Sequence, residues 1–154
     1  MASTRSSNGR SPLELVSLIV GATFLLVGIL GFIPGITENT DAMEFSGHES
    51  GAELLGVFQV SVLHNAVHLL FGVIGLAAAR MASSARAFLV GGGAIYVMLW
   101  LYGMLIDKAG DANFVPLNEA DDWLHLGLGA AMLALGLALG RSARPAGTGT
   151  TARA

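Results

Sequence analysis

Four apolar runs, at about residues 13–33, 57–79, 87–106 and 123–140, constrain this chain more than anything else in it. Each comes close to the roughly 20 residues that a helix needs to cross a hydrocarbon layer of about 30 Å. Lipid offers no hydrogen bonds, so such runs are read as helices whose backbone groups pair internally. Charged residues make up 12% of the chain, against about 25% in a soluble domain, which favours a membrane bundle over a soluble core. The absence of cysteine excludes disulfides, thiolate metal sites and thiol catalysis.

Local signals set the expected boundaries. Ser11-Pro12-Leu13-Glu14 combines a cap, a proline at the first helical position and a capping-box glutamate. The first span should end at Pro34-Gly35. A cleaved signal peptide is the competing reading, but the apolar core is too long and no Ala-x-Ala-like site follows it. Ser50-Gly51-Ala52-Glu53 repeats the capping-box pattern and places the second helix start there. Residues 80–86 read as a short turn joining antiparallel neighbours. Asn118 is placed to cap a fourth helix, with Glu119, Asp121 and Asp122 at the positive end of its dipole. The expected spans are 13–33, 53–79, 87–106 and 119–140 within one domain of residues 12–140. Segments 1–11 and 141–154 are expected to be disordered cytoplasmic tails.

Charge fixes the expected orientation. Arg5, Arg10, Arg80, Arg86, Arg141, Arg144 and Arg153 flank one face of such a bundle, and only Lys108 flanks the other. By the positive-inside rule both termini are cytoplasmic, in the plasma (inner) membrane. All acidic residues except Glu14 lie in or beside the two outward connections. Glu44, His48, Glu49, Glu53, Asp107, Asp111, Glu119, Asp121 and Asp122 can be read as an outer cation site or docking surface, but solvated loops and helix-start carboxylates are the preferred reading.

The second run is unusual for a lipid-facing helix. Ser61, His64, Asn65, His68, Gly72 and Gly75 form a stripe of polar and small groups. Val62, Ala66, Leu69 and Val73 occupy the opposite side at about 100° per residue. A stripe like this is turned into a bundle, where small residues let backbones approach and polar ones bond across helices. His64 and His68, four apart, project from one helix face and can chelate one metal ion. Aligning His68-Leu69-Leu70-Phe71-Gly72 with His125-Leu126-Gly127-Leu128-Gly129 brings His125 to the same depth. Leu18-Ile19-Val20-Gly21-Ala22 aligns similarly with Phe88-Leu89-Val90-Gly91-Gly92, so a tandem repeat of two helical hairpins is expected. Cofactor residues would then be His64, His68 and His125, with His64 and His68 as metal ligands; haem or a transition metal is the cofactor considered, and neither is favoured over none. The plainer reading has neutral histidines bonded to Ser61, Asn65, Tyr96, Tyr102 or backbone carbonyls. No intramembrane carboxylate is expected beside them.

Gly31-Phe32-Ile33-Pro34-Gly35-Ile36-Thr37, Gly47-His48-Glu49-Ser50-Gly51 and Val62-Leu63-His64-Asn65-Ala66-Val67-His68-Leu69-Leu70-Phe71-Gly72, with Asn113-Phe114-Val115-Pro116-Leu117-Asn118 and Trp123-Leu124-His125-Leu126-Gly127, carry a resemblance over about residues 12–140. The chain resembles a family of small uncharacterised bacterial four-span integral membrane proteins, catalogued as a domain of unknown function. That resemblance implies an architecture, and no reaction or catalytic residue. The expected fold is therefore all-α, a four-transmembrane-helix bundle. The leading functional reading is a non-enzymatic scaffold or accessory subunit. The alternative is a haem- or metal-binding redox protein using His64 or His68 with His125, and a small transporter ranks third. Expected partners are the lipid bilayer and either a second copy or another membrane protein, with no nucleic acid.

Overall fold

The computed structural model describes residues 9–142. Nearly all of the two expected disordered tails therefore falls outside the described residues. The elements in chain order are helix α1 (Pro12–Leu30), strand β1 (Thr37–Glu38), a short 3-10 helix (Thr40–Ala42), strands β2 (Ala52–Leu54) and β3 (Phe58–Val60), then helices α2 (Val62–Ala78), α3 (Ala82–Leu105) and α4 (Glu119–Ser142). The capping box at Ser11 forms from both sides, with Glu14 N–H donating to Ser11 Oγ and Ser11 N–H donating to Glu14 Oε2 at 2.8 Å. Helices α1, α3 and α4 are long and apolar enough to cross a membrane, while α2, with 17 residues, is shorter. All four expose large apolar side chains, among them Ile19, Leu26, Leu70, Val73, Met98 and Leu135. A helical protein does this when lipid rather than water surrounds it.

The second helix does not begin at Glu53. Residues 52–60 instead form an antiparallel hairpin, with Glu53 opposite Gln59, and β1 adds a third strand in the order β1-β2-β3. Leu55 and Gly56, in the turn between β2 and β3, have φ of 56° and 65°, the left-handed pair that a tight hairpin turn requires. Ser50, expected to cap a helix, donates its hydroxyl to Val60 O at 2.6 Å and accepts from Glu44 N–H. Tertiary packing overrides the local signal here. Ala52, Leu54 and Val60 are buried together against Val27 and Leu30 near the end of α1, and period-two burial of that kind fits strands, not a helix. Helix α2 begins at Val62 and is capped by Ser61, whose Oγ accepts from His64 N–H at 3.1 Å. Ser61 is thus a cap and not a residue on the helix face. The turn between α2 and α3 is also shorter than expected. It closes by Ala82, with Ser84 Oγ donating to Ala78 O across it, so Arg86 lies within α3.

Helix α1 packs chiefly on α2, and α3 on α4. The two pairs repeat each other in detail. A Cβ placed on Gly21 would lie 3.0 Å from Gly72 O, and one on Gly93 would lie 2.9 Å from Gly129 O. A Cβ on Gly72 would meet Leu25 N at 2.7 Å, and one on Gly129 would meet Val97 N at 2.9 Å. Side chains at Gly31 and Gly103 would collide with Asn65 and Asp122 respectively. Gly21 therefore answers to Gly93, Phe24 to Tyr96, His64 to Asp121, Asn65 to Asp122 and His68 to His125. The aligned stretch in the first and third helices was two residues out of step, because Gly91 has open space around it and Gly93 makes the contact. Phe24 and Tyr96, which correspond, stack on each other at 5.3 Å and 22°. Contact between equivalent residues is what a local two-fold relation between hairpins produces.

Candidate metal centre

The site is assembled where α2 and α4 begin. Ser61 caps α2 and fixes His64 in its first turn, with His68 one turn further along the same face. Asn118 plays the same part for α4, accepting from Asp121 N–H at 2.9 Å, and His125 follows one turn later. His64, Asn65, His68 and His125 are all buried. The His64 and His68 rings lie 4.7 Å apart, and Phe24 makes a T-shaped contact with His68 at 5.5 Å. Tyr96 packs against His125 at 5.0 Å. His64, His68 and His125 each present a ring nitrogen, and these three atoms lie within 4.8 Å of one another. The hairpins thus bring all three histidines to one point.

Hydrogen bonding satisfies only part of the cluster. His64 Nδ1 lies 3.1 Å from Gln59 O; a carbonyl only accepts, so Nδ1 carries the proton and Nε2 keeps its lone pair. Among the described residues His68 Nδ1 and His125 Nδ1 are buried with no partner. Three of the side chains expected to bond them, Ser61, Asn65 and Tyr102, are engaged elsewhere. Ser61 caps His64, Asn65 Nδ2 points to Met43 Sδ at 3.9 Å, and Tyr102 Oη donates to Ala112 O at 2.6 Å. A buried polar atom left unpaired costs about 1–3 kcal/mol, so two of them beside a cavity call for a partner such as a water or an ion.

Two cavities flank the histidines, of about 300 and about 180 Å³, and His64, His68, Tyr96 and His125 line both. The hairpin roofs the larger one with Leu54, Phe58 and Val60. Asp121 lines it too and is only 1% exposed. A buried carboxylate thus accompanies the histidines, where the sequence suggested no intramembrane one. Asp121 and Asp122 are not solvated helix-start residues: Asp122 is buried in an ion pair with Lys108 Nζ at 2.6 Å. A signal for Asp121 was present, since Asp121 and His125 repeat the four-residue spacing of His64 and His68. His48, Glu49 and Asp111 line a separate, open pocket between the two connections. Of the aromatic residues, Trp123 is 56% exposed near the start of α4, as an interfacial anchor would be.

A family model described as Domain of unknown function (DUF4383) matches residues 14–138. No curated protein and no solved structure matches the chain.

Proposed function

We propose that this chain, which belongs to the family described as Domain of unknown function (DUF4383), is a four-span membrane protein that holds one divalent transition-metal ion on His64, His68 and His125. The observation that carries this reading is the convergence of three buried ring nitrogens within 4.8 Å, two of the rings having an unpartnered Nδ1. Neutral imidazole suits zinc, copper, iron and nickel. Zinc–nitrogen bonds are about 2.0–2.1 Å, so modest ring movements would close the cluster around such an ion. His64 already has the support typical of a metal-bound histidine, its second nitrogen donating to a backbone carbonyl. A purely structural scaffold fits less well, because a polar packing stripe stabilises only when its atoms are paired.

The membrane arrangement proposed with this site has four spans and both termini in the cytoplasm. Helix α2 rises about 25 Å at 1.5 Å per residue, short but workable for a span that begins under a folded cap. Arg80 in the α2–α3 turn and Arg86 near the start of α3, opposite Lys108, support that orientation. The metal centre then sits at the outer end of the bundle beneath the three-stranded sheet. The test is an equilibrium titration of the full chain, stripped by chelator in detergent, with Zn²⁺ or Co²⁺. One ion per chain with submicromolar affinity is expected. Binding of less than a tenth of an equivalent would remove the proposal.

A further inference from the structure

We infer that Asp121, which lines the cavity beside the three converging histidines, is the anionic member of this centre and suits it to a divalent ion of the zinc, iron or manganese kind and not to soft Cu(I). The inference rests on the three-histidine reading and extends it. Two independent observations support it. The first is the two-fold relation between hairpins, under which His68 answers to His125 and His64 answers to Asp121. Each hairpin thus offers a pair of side chains four residues apart to the same cavity, His64 with His68 and Asp121 with His125. The second is the state of the carboxylate itself. Asp121 Oδ2 accepts from Gln59 N–H at 3.2 Å and Asn118 N–H at 3.0 Å, while Oδ1 has no partner among the described residues.

Charge supplies the reason for such a group. Three neutral imidazoles leave the full double charge of a divalent ion uncompensated in a low-dielectric site. Lys108 is taken by Asp122, so Asp121 is a buried carboxylate without a cation of its own. An ion on the histidines supplies that cation. The same residue also ties the site together. Gln59 donates its N–H to Asp121 and offers its C=O to His64 Nδ1, so the backbone of one residue joins the α4 carboxylate to the α2 imidazole. Asp121 either binds the ion or holds a water that does, and a carboxylate in either role shifts the preference toward harder ions.

The test uses the full chain in detergent, titrated with Co²⁺ and followed by its visible spectrum. Asp121→Asn keeps an oxygen for both N–H groups and removes only the charge, so the metal-free protein should melt where the wild type does. Its Co²⁺ affinity should fall about 10–100-fold, with a shifted spectrum. Wild-type affinity and an unchanged spectrum in D121N would overturn the role of Asp121 while leaving the histidine site standing. Wild-type binding by His125→Leu would instead overturn the histidine reading itself. If D121N does not fold, infrared difference spectra of the wild-type chain with and without Zn²⁺ decide the matter. A displaced carboxylate stretch supports the inference, and carboxylate bands that do not move overturn it.

Discussion

Replacing Gly21 or Gly93 by valine should separate the helices of one hairpin and cost the protein most of its stability. At Gly21 an added Cβ would stand 2.7 Å from Leu76 N and 2.9 Å from Gly75 C. At Gly93 it would stand 2.9 Å from both Gly129 O and Leu133 N. These neighbours include backbone atoms, which cannot rotate away, so the whole helix must move. Ordinary overpacking costs about 1–3 kcal/mol, and a displaced helix forfeits the close contact on which association in lipid depends. A loss of more than about 3 kcal/mol is therefore expected in thermal or denaturant unfolding. Gly91→Val and Gly127→Val are the controls, since nothing lies within 4 Å of a Cβ at either position. They should be close to neutral. If all four variants lost stability alike, the glycines would be acting through the backbone alone and not through helix contact.

His68→Leu should weaken ion binding sharply and yet stabilise the metal-free protein. The leucine fills similar space, packs on Phe24 and removes a buried Nδ1 that has no partner. Relief of that unpaired group is worth about 1–2 kcal/mol. Affinity should fall by more than about 100-fold, beyond what loss of a supporting residue costs. His64→Leu should lose affinity too but destabilise the metal-free fold, because it strands the Gln59 carbonyl that His64 Nδ1 now serves. Opposite signs for neighbouring histidines on one helix would show that stability was given up at His68 for binding. Destabilisation of both by equal amounts would mean that His68 has a structural partner.

The helices and their stripe were legible in the sequence because lipid burial imposes one simple rule, small and polar inward, on every turn. His64, Asn65, His68, Gly72 and Gly75 are all buried on one side of α2. The three-stranded sheet was not legible. Ser50 to Glu53 satisfies the local grammar of a helix start, and only contact of Leu54 and Val60 with the far end of α1 selects strands there. Asp121 was misread for a related reason. An acidic residue in the first turn of a helix is ordinarily solvated, and the sheet that roofs it was the feature not foreseen. The repeat was visible at His68 and His125, where a distinctive residue anchors the alignment. In α1 and α3, glycine is common enough to align two residues out of step.

X-ray absorption at the zinc edge of the full chain in detergent probes the shared ion most directly. A centre built on both hairpins should give a shell of nitrogen and oxygen neighbours at about 2.0–2.1 Å, with outer scattering from three imidazole rings that drops to two in His125→Leu. A shell of oxygens without imidazole scattering, or a spectrum that His125→Leu leaves unchanged, would contradict an ion held between the two halves of the bundle.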